Sequence, residues 1–285
     1  MANPSLKRAI ANGEMIVAPG VYDLISALIA DRMGFPALYV TGYGTVASHL
    51  GLPDAGIATM TDMISRIGQI CRMTKTPVIA DADTGYGGLL NVQYTVRAYE
   101  DAGVTAIQIE DQEFPKKCGH TPGRRVIPAE DMAKKVAVAA ESRSSDDFLI
   151  IARTDARTAL GLEEALRRGE MYAEAGADVV FIEAPETEEE LAEVGRRIKK
   201  PLLANMVSGG GKTPLLPAPR LKELGFSIAI LPSAGFLATA AALEDVYQEI
   251  KENGVTTGGT KLYPFDAFNR LIGFEKVWEF ERRHA

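Results

Sequence analysis

Short apolar runs in this sequence end on charged or amide side chains. The residues at these ends are Asp81, Asp83, Glu110, Arg153, Glu183 and Asn205. A single charge there carries little information, but buried charges without partners are costly, so a converging set indicates a binding or catalytic site. Carboxylate oxygens alone favour Mg²⁺ or Mn²⁺ over Zn²⁺. We therefore expect Asp81, Asp83 and Glu110 to hold a divalent cation.

The spacing of two of these carboxylates supports a metal. Asp81 and Asp83 are two positions apart, which places both side chains on one face of a strand. Carboxylates on one face repel each other, and a dication between them removes that repulsion. The alternative is that one aspartate caps a helix or stabilises the turn over residues 83–88. Glu110, at the end of the next run, favours the metal.

A cysteine flanked by basic residues is a second candidate for chemistry. Cys118 lies between Lys116 and His120 in a short loop. Nearby positive charge lowers the pKa of a thiol, so Cys118 could be a nucleophile or a proton donor. Gly119 would let the backbone approach a ligand closely. The alternative is an ordinary surface loop, and zinc ligation would need further ligands.

Arg153 is the cation in the set of strand ends. A guanidinium at this place could hold a carboxylate or a developing oxyanion. The alternative is an ion pair with Asp155 or Glu183, since arginine–carboxylate pairs are common.

The elements that must position these residues alternate between strands and helices. Apolar, often β-branched runs alternate with helical patterns, and several helices end in glycine just before the next run. The predicted strands cover residues 15–18, 37–41, 77–82, 105–110, 148–153, 178–183, 201–205 and 227–231. This rhythm predicts an α/β protein built as a (β/α)8 barrel with extra N- and C-terminal helices. A doubly wound open sheet is the structural alternative, but no GxGxxG motif follows the first strand.

Composition limits the class of protein. The chain has 285 residues, with Lys+Arg 31 against Asp+Glu 38 and a net charge of −7. This balance disfavours a nucleic-acid or membrane surface, and no apolar run reaches the length of a membrane span. Two cysteines do not make a disulfide framework, so we expect a cytoplasmic protein. We expect the barrel to span residues 1–254 and a helical arm to span residues 255–285.

Four motifs together resemble the isocitrate lyase / phosphoenolpyruvate mutase superfamily. They are Asp81-Ala-Asp-Thr-Gly-Tyr-Gly, Ile109-Glu-Asp-Gln, Lys116-Lys-Cys-Gly-His and Ala152-Arg-Thr-Asp. The resemblance covers most of the chain and implies a (β/α)8 barrel in a homotetramer with swapped helices, the arm packing on a neighbouring subunit. It also implies Mg²⁺, with Mn²⁺ as a substitute, held by Asp81, Asp83 and Glu110 mostly through water.

The loop after the fourth strand implies the lyase branch. Carbon–carbon lyases of the family carry Lys-x-Cys-Gly-His there, whereas phosphonate mutases and hydrolases lack the cysteine. The resemblance implies that Cys118 protonates a departing carbanion and that Lys116 and His120 set the protonation of the thiol. It further implies that Arg153 stabilises an oxyanion, and that Tyr39 or a metal-bound water accepts the proton of a 2-hydroxyl group.

The resemblance also implies a set of residues that bind a small 2-hydroxy dicarboxylate. They are Thr41, Gly42, Tyr43, Asp54, Asp81, Gly119, Arg153, Glu183, Asn205 and Pro232. The run Thr41-Gly-Tyr43 departs from the Ser-Gly-Gly of the lyases. This difference affects which substrate acid the site can bind.

The expected substrate is 2,3-dimethylmalate, cleaved to pyruvate and propanoate. Members that cleave 2-methylisocitrate to pyruvate and succinate place an arginine after a phenylalanine, whereas here Leu237 follows Phe236. A leucine would leave a third carboxylate unpaired, which is costly when the charge is desolvated. The alternatives are 2-methylisocitrate, decarboxylation or hydrolysis of oxaloacetate, phosphonate chemistry on phosphoenolpyruvate, and a barrel that binds a metabolite without catalysis.

Overall fold

Eight parallel strands form a closed barrel in the computed structural model of the chain, which describes residues 3–119 and 123–285. Each strand pairs with the next, and β8 pairs with β1. The strands are β1 (Ile16–Val21), β2 (Leu38–Val40), β3 (Val78–Asp81), β4 (Ala106–Glu110), β5 (Leu149–Thr154), β6 (Val179–Ile182), β7 (Leu202–Asn205) and β8 (Ile228–Leu231). The predicted (β/α)8 barrel is therefore confirmed.

Helices follow the strands in the order expected for this barrel. They are α1 (Ser5–Ala11), α2 (Leu24–Met33), α3 (Gly42–Leu50), α4 (Met60–Met73), α5 (Leu89–Asp101), α6 (Ala129–Ser142), α7 (Ala156–Leu160), α8 (Leu162–Glu174), α9 (Glu188–Arg197), α10 (Ala218–Glu223), α11 (Ala234–Asn253), α12 (Phe265–Leu271) and α13 (Phe274–His284). Local sequence sets several starts: Asp23 before α2 and Thr59 before α4 each form a reciprocal capping box with the third helical residue.

The apolar core has two layers, inside and outside the strands. Alternate strand residues such as Ile79 and Phe181 fill the barrel, and Leu6 of α1 belongs to the same interior cluster. The other strand face packs against the helices in a larger cluster. The interior cluster includes Ile16 and Leu149 at the beginnings of their strands, so polar side chains are left for the strands' C-terminal ends.

The chain divides into two compact units, residues 1–234 and Gly235–Ala285. The division lies at the start of α11, a helix with no buried residue. The expected helical arm over residues 255–285 contains two separate helices, since Gly273 has φ +92 and separates α12 from α13. Within the second unit, Phe265 and Phe280 are largely exposed. The boundary of the barrel domain stays a prediction.

In the described part of the chain, no helix combines the length and hydropathy needed to cross a bilayer. Neither Cys71 nor Cys118 forms a disulfide. A cytoplasmic location stays a prediction.

Candidate active site

The C-terminal ends of successive strands bring the predicted polar residues to one end of the barrel. Asp81 and Glu110 are the last residues of β3 and β4, and Asn205 is the last residue of β7. Arg153 lies on β5 in register with Glu110, and Glu183 follows β6 directly. All five side chains are buried. This is the end of a (β/α)8 barrel at which active sites form.

Arg153 is the centre of a buried network of ion pairs. Its Nε and Nη2 donate to Asp155 at 2.9 and 2.8 Å, and Nη2 lies 3.1 Å from Oε2 of Glu183. Nη1 lies 3.4 Å from Oε2 of Glu110, and the guanidinium covers the Phe181 ring. Burial alone would lower the pKa of Arg153, but the carboxylates outweigh it and raise that pKa. The ion pairs that the sequence left as an alternative are present.

Glu183 is fixed from two sides. The Asn205 amide donates to Oε2 of Glu183 at 3.1 Å, and the backbone N–H of Ala184 donates to Oε1 at 2.9 Å. Ala184 has φ +60, a left-handed backbone conformation that is uncommon for residues other than glycine. The structure therefore brings together Arg153, Glu183 and Asn205 as predicted.

Lys116 joins two carboxylates from different loops. Its Nζ lies 2.6 Å from Oδ1 of Asp54 and 2.6 Å from Oδ1 of Asp83, and all three side chains are buried. Burial raises the pKa of Asp83 to about 7 although Lys116 opposes the shift, and the carboxylate of Asp81 adds to the rise. Burial would lower the pKa of Lys116, but the surrounding carboxylates raise it. The ammonium that was expected to act on Cys118 is thus paired with aspartates.

Asp83 differs from its expected placement on the strand. β3 ends at Asp81, and Asp83 lies in the following turn with φ +48. Its backbone N–H donates to Oδ1 of Asp81 at 3.0 Å. The prediction that both side chains share one strand face is therefore wrong, because the chain turns immediately after Asp81. The two carboxyl groups are nevertheless neighbours.

The three predicted metal ligands suit a hard cation held largely through water. Among the described residues, no three acidic, histidine or cysteine side chains converge closely enough for direct coordination. However, Oε1 of Glu110 is buried without a hydrogen-bond partner in that part of the chain. Burial also raises the pKa of Glu110 well above its usual value. A nearby cation would satisfy this oxygen, and Mg²⁺ characteristically keeps several waters when carboxylates such as Asp81 and Asp83 hold it.

Two glycines allow backbone to approach these charged groups. A Cβ on Gly42, at the start of α3, would lie 2.5 Å from Oδ2 of Asp81. A Cβ on Gly119 would overlap Nη2 of Arg153 and lie 2.7 Å from Oε2 of Glu183. The loop that carries Cys118 therefore lies directly on the Arg153–Glu183 pair.

Tyr39 connects to the carboxylates through a residue that the sequence analysis missed. Its hydroxyl donates to Oε1 of Gln108 at 2.9 Å, and Nε2 of Gln108 lies 3.4 Å from Oδ1 of Asp81. Burial, and then Asp81, raise the pKa of Tyr39 well above its usual value. Gln108 could have been found from its pattern, because it is a polar residue in an apolar run, on the same strand face as Glu110.

The other predicted residues lie around this centre. Thr41 is buried and precedes α3, whereas Tyr43 is exposed on its first turn. Pro232 follows β8, and its backbone packs so closely on Gly20 that a Cβ there would overlap it. His120 lies outside the described residues.

A second missed residue, Arg124, holds the far side of the Cys118 loop. Its Nη1 contacts Oδ1 of Asp155, and its Nη2 donates to Thr158 at 2.8 Å. Asp155 thereby connects this loop to Arg153. No local pattern in the sequence singles out Arg124, because its partner is 31 positions away.

Taken together, the groups supply three kinds of chemistry. Carboxylates at the ends of β3 and β4 can hold a cation, and Arg153 supplies a positive charge beside them. Cys118 is half-buried and directly precedes Gly119, whose backbone lies against Arg153, so this loop carries a group that can serve as an acid.

The phosphoenolpyruvate phosphomutase family matches residues 6–251, most of the chain. The chain belongs to this family. Membership of this family supports a divalent metal as cofactor.

Relatives in the phosphomutase family include carbon–carbon lyases. The chain is 47% identical over 281 residues to 2,3-dimethylmalate lyase of Eubacterium barkeri, covering 98% of this chain and 97% of the relative. It is 45% identical over 281 residues to 2-methylisocitrate lyase of Aeropyrum pernix, covering 98% and 89%. A crystal structure of 2,3-dimethylmalate lyase, described as a PEP mutase/isocitrate lyase superfamily member, superposes with a TM-score of 0.93 at 38% identity, covering 100% and 96%.

Proposed function

We propose that this chain is a divalent-metal-dependent carbon–carbon lyase that cleaves a substituted 2-hydroxy dicarboxylate, with 2,3-dimethylmalate as the leading substrate. Membership of the family and the lyases among its relatives support this reaction class. The products are pyruvate and propanoate. The arrangement of carboxylates, arginine and thiol at one end of the barrel is consistent with this chemistry.

The reaction is a retro-aldol-type cleavage in which protons and electrons balance. The 2-hydroxyl group loses its proton, the C2–C3 bond breaks, and C2 becomes the carbonyl carbon of pyruvate. The electron pair of the broken bond goes to C3 as the enolate of propanoate. Cys118 then donates a proton to C3, so one proton leaves the substrate oxygen and one enters the product carbon.

Asp81, Asp83 and Glu110 would hold the cation, for which we propose Mg²⁺ with Mn²⁺ as a substitute. When bound, such an ion acts as a Lewis acid toward carboxylate and hydroxyl oxygens. Arg153, fixed by Asp155, binds an anionic oxygen of the substrate beside the cation.

Tyr39 is the proposed acceptor of the hydroxyl proton. Burial and the negative charge of Asp81 raise the pKa of the Tyr39 hydroxyl well above its usual value. A cation held by Asp81 would neutralise that carboxylate. The pKa of Tyr39 would then fall, which favours the phenolate form. Tyr39→Phe should therefore lower kcat by about a hundredfold, the usual range for a general base. Retention of more than a tenth of wild-type kcat would assign proton transfer to a group other than Tyr39.

The observation that supports the proposal most is the position of the Cys118 loop against Arg153 and Glu183. A side chain at Gly119 would overlap that pair, so the backbone that directly follows Cys118 lies against the guanidinium of Arg153. A thiol on a distant surface loop could not protonate a carbanion formed there.

The test is turnover of three acids by one enzyme preparation with Mg²⁺. Pyruvate release is measured from 2,3-dimethylmalate, 2-methylisocitrate and oxaloacetate, with oxalate measured for the last. We expect the highest kcat/KM for 2,3-dimethylmalate. A higher kcat/KM for 2-methylisocitrate would overturn the substrate assignment. Turnover of oxaloacetate as the only acid cleaved, to oxalate or to pyruvate, would overturn it as well. Turnover of none of the three would overturn the lyase assignment.

We also propose that the C-terminal unit packs on a neighbouring subunit of a homotetramer. Its exposed apolar side chains support this, since large exposed apolar patches commonly mark interfaces: Tyr247, Ile250, Phe265, Trp278 and Phe280. Native mass spectrometry should give a tetramer for the full chain. A monomer at micromolar concentration would contradict the proposal.

A further inference from the structure

Gln112 forms two hydrogen bonds with the backbone of a single loop residue. Its Nε2 donates to the carbonyl oxygen of Lys117 at 2.8 Å, and its Oε1 accepts from the backbone N–H of Lys117 at 3.0 Å. The side-chain amide thus pairs with the main chain as a neighbouring strand would. Gln112 is only 2% exposed, so water competes poorly for these bonds.

The residue held in this way lies between two residues of the site. Lys116, on one side, pairs with Asp83, and Cys118 on the other side carries the thiol. The side chain of Lys117 is itself exposed, so Gln112 acts on the backbone alone. Fixing both the N–H and the carbonyl of one residue restrains the peptide planes on both sides of it.

Two further restraints on the described part of this loop belong to the reacting groups. Lys116 reaches the predicted metal site, and the backbone of Gly119 contacts Arg153. Gln112 touches neither Arg153 nor a predicted metal ligand in its hydrogen bonds. Its contribution can therefore be removed without changing the groups that bind substrate.

We propose that Gln112 is a positioning residue that holds the Cys118 thiol at the distance and angle required for proton transfer. The inference rests on the proposed function, in which Cys118 protonates C3 of the departing carbanion. Gln112 does not touch the substrate. It acts by keeping the backbone on the N-terminal side of Cys118 in one conformation. The wild-type loop therefore does not have to reach that conformation anew in each turnover.

Two variants test this role at different strengths. Gln112→Met keeps the approximate length of the side chain and removes both hydrogen bonds. Gln112→Glu keeps an acceptor for the Lys117 N–H but sets a carboxylate against the Lys117 carbonyl oxygen. Glu113→Gln is the matched control, since Glu113 is the next residue and its ion pair with Arg125 at 2.7 Å is exposed.

We expect Gln112→Met to lower kcat by at least tenfold while KM for the substrate stays within threefold of wild type. Misplacement of a catalytic group by about 1 Å costs up to a hundredfold in rate, whereas the groups that bind substrate are unchanged. Gln112→Glu should show the same split between kcat and KM, and Glu113→Gln should match wild type.

Alkylation of Cys118 by iodoacetamide provides a readout independent of turnover. Release of the loop should raise the alkylation rate of Cys118 at least threefold in both Gln112 variants, while Cys71, which packs against the core, stays unlabelled. A general loss of packing would instead expose Cys71 as well, and that result would overturn the positioning role.

The combined results separate this inference from the proposed function. Kinetic constants of either variant within threefold of wild type, or a fall in kcat with no change in Cys118 alkylation, would overturn the role of Gln112. If Cys118→Ser keeps wild-type turnover, the assignment of the acid fails first, and faster alkylation of Cys118 in the variants would then support only a restraint on the loop.

Discussion

The ammonium nitrogen of Lys116 lies 2.6 Å from Oδ1 of Asp83. This buried ion pair connects the loop after β4, which carries Cys118, to the turn after β3, which carries a predicted metal ligand. The same ammonium also lies 2.6 Å from Asp54. One lysine therefore couples the position of the proposed acid to the position of the proposed metal site.

Replacing Lys116 by methionine should lower kcat by about a hundredfold or more. The change leaves two buried carboxylates without their cation and releases the Cys118 loop, and breaking a buried pair in this way is costly. Steady-state pyruvate release measures the loss. Lys134→Met is the control, because the ion pair of Lys134 with Asp131 is exposed. Loss of less than tenfold would show that the ion pair is dispensable for turnover.

Replacing Cys118 by serine should lower kcat by 10²- to 10⁴-fold, the usual contribution of a general acid. A serine hydroxyl is a far weaker acid than a thiol, although it occupies similar space. Binding of Mn²⁺, followed by electron paramagnetic resonance, should stay at wild-type affinity. Cys71→Ala is the control and should keep wild-type kcat. A Cys118→Ser enzyme with normal turnover would remove the thiol from the mechanism.

Replacing Gly119 by alanine should lower kcat by at least tenfold and leave the melting temperature close to wild type. The added methyl group would overlap Nη2 of Arg153, so the Cys118 loop could not settle on the Arg153–Glu183 pair. Gly88→Ala is the matched control, because a Cβ at Gly88 meets nothing within 4 Å. Equal kcat values for the two variants would contradict the close approach of this loop.

The two cysteines should differ sharply in reactivity. Burial raises the pKa of Cys71 to about 12, and a thiol must ionise to react. At pH 8 the folded protein should therefore incorporate iodoacetamide at Cys118 and not at Cys71, as measured by peptide mass spectrometry. After unfolding in guanidinium both should react. Labelling of Cys71 in the folded protein would show that its helix opens readily.

The sequence allowed the strands and most long helices to be predicted, because their apolar periodicity reflects burial in the barrel. It did not reveal α3, whose residues Gly42, Gly44 and Thr45 have poor helix propensity. That helix forms where Gly42 packs against Asp81, a tertiary contact that local pattern cannot show. The break at Gly273 was missed for a different reason, since a glycine inside a helical pattern is often tolerated.

The candidate site was predictable at the level of residue types but not of partners. The strand-end residues Asp81, Glu110 and Arg153 meet as expected, because parallel strands of one barrel end together. The pairing of Lys116 with Asp54 joins residues that are far apart in the chain. Gln108 was not predicted from the charged residues, although an amide within an apolar run is also a signal of a polar network.

The most direct test of the central claim is cleavage of 2,3-dimethylmalate in D₂O with Mg²⁺, followed by proton NMR. The account predicts that pyruvate and propanoate appear in equal amounts, with one deuterium at C2 of propanoate in a single configuration. Wild-type enzyme should lose this activity with EDTA and regain it with added Mg²⁺. Absence of propanoate, or propanoate formed equally well in EDTA, would contradict a metal-dependent lyase whose thiol protonates the departing carbon.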